Sequence, residues 1–228
     1  MNYLTVEKLS KSIGEKELFS EITFGLEKGQ KTALIARNGT GKSTLLNIIA
    51  GYDVPDSGQV VIRNDITVSY LPQMDRFADN FSVLDAIFDA QTPTIQAIKE
   101  YEACMVLAET GHENIEVQQR LQKAIMEMDR LHAWDFEAKA KEILSRFGIH
   151  DIFKNINELS GGQRKKAALA KTLIADTDLL ILDEPTNHLD VEMIEWLENY
   201  LKSANVTLLM VTHDRYFLDQ VCNDIIEL

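Results

Sequence analysis

The feature that most constrains this chain is a glycine-rich turn between a buried strand and a helix. Residues 36–43 read Ala-Arg-Asn-Gly-Thr-Gly-Lys-Ser. The run before them, Thr32–Ala36, is apolar without alternation, which is typical of a strand buried on both faces. The run after them, Ser43–Ala50, has helical spacing and is followed by Gly51. This is the context in which the phosphate-binding pattern G-x-x-x-x-G-K-[ST] occurs.

The loop fits that pattern at every fixed position except the first, where Ala36 stands in place of glycine. Alanine accepts most backbone angles other than positive φ, so we expect Ala36 to be extended. Loop amides at a helix N-terminus would form an anion site, with Lys42 on the β- and γ-phosphates and Ser43 on Mg²⁺. The alternative is an ordinary helix N-terminus that contains glycines and, by chance, a lysine. The candidate nucleotide-binding residues are Ala36, Arg37, Asn38, Gly39, Thr40, Gly41, Lys42, Ser43 and Thr44.

A second apolar run, Leu179–Leu182, ends in the carboxylates Asp183 and Glu184. Ligand sites in open α/β sheets lie at the carboxyl ends of strands, which is where both acids would stand. Asp183 would hold Mg²⁺, and Glu184 would take a proton from water as a general base. The alternative is a pair of solvated turn acids.

Two further polar residues follow predicted strands. His213 comes after Val206–Val211 and should reach the same sheet edge in a catalytic role. Gln73 comes after Thr67–Leu71, and its amide can position a metal ion and a water together. Either residue alone could equally be an ordinary turn or surface residue.

A second glycine-bearing helix start is Leu159–Gln163, which reads Leu-Ser-Gly-Gly-Gln. Ser160 is a natural N-cap, and the two glycines leave helix N–H groups uncovered. This makes either an ordinary capped helix or a second anion site. Two chains packed head to tail would use such a site to close each other's nucleotide.

Composition excludes some classes of protein. The 228 residues suggest one large or two small domains, and 36 acidic against 23 basic residues give a net charge of −13. A mainly basic nucleic-acid-coating protein is therefore excluded. Since no long window lacks charge and the start has no signal pattern, we expect no membrane span and a cytoplasmic location. Cys104 and Cys222 have no metal-ligand spacing and are expected to be reduced thiols.

Strands alternate with helices at both ends of the chain, which predicts an α/β fold with a mostly parallel sheet. Alternating polarity predicts N-terminal strands at Tyr3–Glu7 and Ile22–Leu26, and strands at Val60–Ile62 and Thr67–Leu71 flank a turn at Asn64-Asp65. We expect one domain over 1–228, with a catalytic core at 1–81 and 148–228 and a helical insertion at 82–147. In the insertion, helices at 94–109 and 115–132 would form a hairpin around a turn at 110–114. The hairpin either packs on the core or projects as an arm at 94–132. The C-terminal elements are predicted as helices at Ser160–Ile174, Val191–Leu201 and Asp214–Val221, with a last strand at Asp224–Leu228.

These motifs, in this order, resemble the ATP-binding cassette (ABC) ATPase domain over nearly the whole chain. The resemblance implies a P-loop NTPase core with N-terminal antiparallel strands and an inserted helical subdomain. It also implies ATP and Mg²⁺ as ligands, and ATP hydrolysis that needs a second cassette. By this resemblance Gln73 lies on the Q-loop, Asp190 on the D-loop and His213 at the switch histidine, and the signature that acts in trans is Ser160, Gly161, Gly162 and Gln163.

Three details resemble the ABC-F subfamily, whose members are soluble and act on ribosomes. They are PTNHLD at Pro185–Asp190, HDRYFLD at His213–Asp219, and 86 positions from Gln73 to Leu159, long enough for an extra hairpin. The chain resembles the first cassette of a two-cassette protein. Two alternatives are the nucleotide-binding subunit of an ABC membrane transporter, with a transmembrane subunit as its partner, and a binding module without catalysis.

The chain departs from the ABC pattern near the expected base-binding position. Cassettes usually carry an aromatic residue there, whereas this chain has Ile13. Base stacking would then be weakened, or supplied by Phe19 or another ring. The insertion is also not basic, since residues 94–147 hold ten acidic and seven basic residues. This is a poor match to a reader of RNA phosphates.

Overall fold

The computed structural model describes residues 1–37, 39–73, 77, 81–88, 92–110, 114–175 and 177–228. The strands are β1 (Asn2–Ile13), β2 (Lys16–Glu27), β3 (Lys31–Ile35), β4 (Ser57–Ile62), β5 (Val68–Leu71), β6 (Leu179–Asp183), β7 (Thr207–Val211) and β8 (Asp224–Glu227). The helices are α1 (Lys42–Ile49), α2 (Val83–Ile87), α3 (Pro93–Glu109), α4 (Ile115–Arg130), α5 (Trp134–Arg146), α6 (Gly161–Ile174), α7 (Val191–Ser203) and α8 (Arg215–Val221).

The chain divides into two compact units. The first comprises residues 1–75 and 175–228, and the second comprises residues 76–174. Residues 148–174, which the sequence pattern predicts to lie in the catalytic core, belong to the helical unit in the structure. The reason is packing, because α6 lies against α2 and α5.

The first unit contains two sheets, as the α/β prediction requires. A five-stranded parallel sheet has the order β5-β6-β7-β3-β8, and a three-stranded antiparallel sheet has the order β2-β1-β4. Strands β4 and β5, which follow one another around the Asn64-Asp65 turn, therefore belong to different sheets. One apolar core joins α1 to both sheets through fully buried side chains such as Leu4, Leu45 and Leu209.

Strands β6 and β7 of the parallel sheet are buried on both faces, which explains their largely apolar sequences. Every residue of β6 and of β7 is buried. Strand β3 ends at Ile35, so Ala36 is the first residue of the loop rather than the last of the strand. The carboxyl ends of β3, β6 and β7 consequently stand side by side, because these strands are neighbours in the sheet.

The second unit is helical. Helices α3 and α4 pack against each other as the predicted hairpin, with Cys104 and Met128 fully buried. Helix α4 ends at Arg130, two residues before its predicted end. Of the predicted turn at 110–114, residues 111–113 lie outside the described residues. Within the part of the chain that the structure describes, no helix combines the length and apolar character that a membrane crossing requires.

Candidate functional site

The glycine-rich loop has the conformation that an anion-binding turn needs. Gly39 and Gly41 have φ values of 78° and 91°, in the left-handed region that disfavours other residues. At Gly41 a Cβ would also stand 2.9 Å from Leu18 Cβ and 3.2 Å from a ring carbon of Phe19. Ala36 has negative φ, so its methyl group causes no backbone strain.

Carbonyl oxygens of the loop accept hydrogen bonds from side chains of the same loop. Lys42 Nζ donates to the carbonyl oxygens of Ala36 at 2.9 Å and Arg37 at 3.2 Å. The Thr40 hydroxyl also donates to Arg37 O at 2.8 Å. Helix α1 begins directly at Lys42, so its first amide groups stand at the loop. The helix dipole adds positive potential at this end, which favours a bound anion.

Asp183 and Glu184 lie where the sequence predicted, at the carboxyl end of β6. Asp183 is only 2% exposed and stands in register with Val211 of the neighbouring strand β7. Glu184 donates its amide to Val211 O at 2.8 Å and has a φ of 52°, which is uncommon for a residue with a side chain. The chain therefore turns sharply directly after the strand, a conformation that is often found at functional sites.

Glu184 and His213 are in contact, although 29 positions separate them. Nε2 of His213 lies 3.3 Å from Oε1 of Glu184, and the His213 amide donates to Oε2 at 3.2 Å. The Glu184 side chain is 7% exposed, whereas the imidazole is 60% exposed. Burial raises the pKa of Glu184 above its ordinary value, and the His213 amide, with the nearby imidazole and ammonium charges, opposes that rise.

These residues enclose one polar pocket of about 390 Å³ within the first unit. Gln73, which is exposed at the end of β5, completes its wall. Val211 also lines the pocket, and no sequence pattern predicts this because its side chain is apolar. The lining residues are Gly39, Gly41, Lys42, Ser43, Thr44, Gln73, Asp183, Glu184, Val211 and His213.

Some predicted site residues do not line this pocket. Ala36, Arg37 and Thr40 contribute to the loop through their backbone and the hydrogen bonds described above. Asn38 lies outside the described residues. Phe19, considered as a ring for base stacking, is 6% exposed and belongs to the apolar core, so that suggestion was wrong for the conformation seen here. Ile13, in contrast, is 61% exposed.

The signature residues form a helix cap in the second unit. The Ser160 hydroxyl accepts from the Gln163 amide at 3.2 Å, and Gln163 Oε1 accepts from the Ser160 amide at 3.0 Å. This reciprocal pair is a capping box at the start of α6. Asp190, in the first unit, similarly caps α7 by accepting from the Met193 amide at 3.0 Å.

Comparison with protein families agrees with this geometry. The family model described as "ABC transporter" matches residues 19–187, which include the glycine-rich loop, the signature and the two carboxylates. The chain belongs to this family and is an ATPase cassette of the ATP-binding cassette type. Its curated relatives include ABC-F proteins.

Three relatives illustrate that placement. The uncharacterized ABC transporter ATP-binding protein YfmR of Bacillus subtilis is 44% identical over 228 residues, which is 100% of this chain and 36% of the relative. The energy-dependent translational throttle protein EttA of Mycobacterium tuberculosis is 35% identical, over 98% of this chain and 40% of that protein. ABC transporter F family member 5 of Arabidopsis thaliana is 31% identical, over 97% of this chain and 33% of that protein. The chain thus spans between a third and two fifths of the length of these relatives.

Solved structures show the same fold. A dimeric ATP-binding cassette in a post-hydrolysis state with ADP and phosphate has a TM-score of 0.67 and 21% sequence identity to this chain. The match covers 99% of this chain and 94% of that structure. The predicted P-loop core with N-terminal antiparallel strands and added helices is therefore confirmed.

Proposed function

We propose that the polar pocket of the first unit binds and hydrolyses ATP with Mg²⁺. The observation that carries this proposal is the junction, in one pocket, of the glycine-rich loop with Glu184 and His213. Lys42 and the loop amides would bind the phosphates, and Lys42 would exchange its two carbonyl partners for phosphate oxygens.

The donor set at the pocket fits Mg²⁺. The Ser43 hydroxyl, the Asp183 carboxylate and the Gln73 amide carbonyl are oxygen donors, which this ion prefers. A bound Mg²⁺ would neutralise charge on the β- and γ-phosphates. The same ion would offset the burial of the Asp183 carboxylate, which is 2% exposed.

Glu184 is the proposed general base. Its carboxylate would accept a proton from the attacking water, and the raised pKa makes it a stronger base than an exposed glutamate. His213 contacts both carboxylate oxygens, through its ring and its amide, and so holds the side chain in one orientation. Its imidazole is exposed and would be accessible to a bound γ-phosphate.

The signature residues are assigned to the site of a second cassette. Every lining residue of the pocket belongs to the first unit, whereas Ser160–Gln163 belong to the second. We therefore expect turnover to rise more than linearly with the concentration of this chain. A specific activity that stays constant across a hundredfold dilution would contradict the need for a second cassette.

The cellular role is proposed to be ABC-F-like action on the ribosome in the cytoplasm. Support comes from the similarity to EttA, which is named a translational throttle protein, and from the α3–α4 hairpin in the insertion. The alternative is a subunit of an ABC membrane transporter, the class that the family description names. Co-sedimentation of the full-length protein with ribosomes in a non-hydrolysable ATP analogue tests the choice. Ribosome pelleting that does not respond to the analogue would count against the ABC-F role.

A further inference from the structure

A second lysine contacts the glycine-rich loop, and no motif contains it. Lys16 Nζ donates to the carbonyl oxygen of Gly39 at 3.0 Å. Lys16 is the first residue of β2 and pairs with Ile13 of β1 across a tight turn. Its position is therefore set by the antiparallel sheet and not by the loop that it contacts.

The two lysines at the loop differ in what a bound nucleotide would do to them. Lys42 holds the carbonyls of Ala36 and Arg37, but its ammonium group is the one expected to move to the phosphates. The loop would then lose those contacts at the moment when it must be rigid. Lys16 is anchored on another strand, so we expect its bond to Gly39 to persist when Lys42 moves to the phosphates.

The geometry of the Gly39–Thr40 peptide gives this bond a direct effect on anion binding. The described chain contains no cis peptide, so the Gly39 carbonyl and the Thr40 amide point in opposite directions. A cation on the carbonyl polarises the peptide and strengthens the N–H on the other side as a donor. Lys16 can thus act on the anion site without touching the ligand.

Strand β2 supports the loop at a second point. A Cβ atom added to Gly41 would lie 2.9 Å from Leu18 Cβ and 3.2 Å from Phe19 Cδ1. Lys16, Leu18 and Phe19 therefore form one continuous support along the start of β2. The apolar pair fixes the position of the loop, and the lysine fixes the direction of the Gly39 carbonyl.

We propose that Lys16 is a positioning residue of the nucleotide site, which holds the Gly39–Thr40 peptide with its amide directed to the phosphates. This proposal rests on the proposed function of the loop. It assigns a role in phosphate binding to the β1–β2 turn. That role is separate from base stacking, for which Ile13 offers no ring.

The test measures Mg²⁺–ADP affinity by titration calorimetry on the full chain carrying Lys16→Met, Lys16→Arg or Lys28→Met. Lys28 follows the other end of β2 and gives the same change of charge. We expect Lys16→Met to weaken binding about five- to tenfold, and Lys16→Arg and Lys28→Met to stay within about twofold of the original chain, since a charge-assisted bond is lost only in the first. The Thr40 amide proton resonance of the nucleotide-free chain should move upfield in Lys16→Met alone.

Equal affinity of Lys16→Met and Lys28→Met would overturn the proposal, as would an unmoved Thr40 resonance. If Lys16→Met lowers the melting temperature and Lys16→Arg fails to restore affinity, the role is structural and the proposal is wrong. If the original chain does not bind ADP, the nucleotide site itself is contradicted, so the two failures are distinguishable.

Discussion

Both units of the molecule bury acidic side chains next to a basic group, with different consequences. In the first unit, Glu184 lies against His213 at the end of a strand. In the second, Glu102 of α3 and Glu137 of α5 share the ammonium group of Lys141. The three glutamates are buried to a similar degree. Glu102 and Glu137 are each 8% exposed, and the side chain of Glu184 is 7% exposed.

In the second unit, the charged side chains of the cluster contact one another. Lys141 Nζ lies 2.9 Å from Glu102 Oε1, 2.6 Å from Glu137 Oε1 and 5.9 Å from the centre of the Tyr101 ring. Burial lowers the pKa of Lys141, but the two carboxylates outweigh burial and raise it. Burial raises the pKa of Glu102, against the attraction of Lys141. The cluster lines a mostly apolar pocket of about 300 Å³.

The two sites differ in the basic residue that contacts the buried glutamate and in the backbone conformation of that glutamate. Lys141 is a permanent charge that joins two helices, so the cluster in the second unit serves packing. His213 is an exposed imidazole, and Glu184 sits on a left-handed turn at the carboxyl end of a strand. A buried carboxylate is thus a candidate catalytic group when its partner is an exposed imidazole rather than a permanent charge, and when it faces a polar pocket.

The largest expected effect is on hydrolysis, from Glu184→Gln. The amide keeps the shape but cannot accept the proton of water, so the rate should fall by about 10²–10⁴. ATP binding should survive, because Lys42, Ser43 and Asp183 are unchanged. Single-turnover hydrolysis and ATP titration of the variant measure the two properties separately.

Two results would contradict that assignment. One is hydrolysis by Glu184→Gln at the original rate. The other concerns pH. Since burial raises the pKa of Glu184 above the ordinary 4.5, the base should become protonated, and kcat should fall, at a higher pH than for an exposed glutamate. A kcat that is flat down to pH 4.5 would exclude Glu184 as the base.

The next effect is on nucleotide affinity, from Lys42→Ala. Loss of a charged hydrogen-bond donor costs about 1.5–3 kcal/mol, or roughly 10- to 150-fold in Kd. Fluorescence titration with Mg²⁺–ATP measures it, and Lys28→Ala serves as the control for a general change of charge. Binding by Lys42→Ala within about threefold of the original chain would contradict the phosphate-binding role of the loop.

In the second unit, Lys141→Met should act on stability and leave nucleotide affinity unchanged. Removing one partner of a buried pair costs about 3–5 kcal/mol, but Lys141 is 56% exposed at its side chain, so we expect about 1–2 kcal/mol. Urea unfolding measures this, with Lys139→Met on the same helix as the control. A changed ATP affinity together with unchanged stability would reverse the distinction drawn between the two clusters.

The smallest effect is expected from Ala36→Gly, which restores the usual first glycine of the loop. Ala36 has negative φ, so glycine relieves no strain, and Kd for Mg²⁺–ATP should change by less than about twofold. Titration beside the original chain tests this. An affinity gain of tenfold would mean that the methyl group obstructs the loop when nucleotide binds.

Much of the site could be predicted from local sequence. The loop, the acids after β6 and the histidine after β7 are each marked by a polar residue at the end of an apolar strand. Neighbouring parallel strands bring such ends together, so a linear pattern was sufficient to assemble the pocket that the structure shows. The helical hairpin was equally accessible, since its apolar spacing is local.

Other features depend on contacts between distant segments, and only the tertiary structure decided them. Lys16 precedes Gly39 by 23 positions and reaches it only through the register of β1 and β2. The assignment of residues 148–174 to the helical unit reflects the packing of α6. Phe19 is aromatic, but its ring packs in the apolar core of the first unit and is therefore buried. By itself, the sequence determined which chemical groups the chain carries and on which elements, since propensity and polarity act locally. Burial and long-range pairing decided which of those groups are free to act.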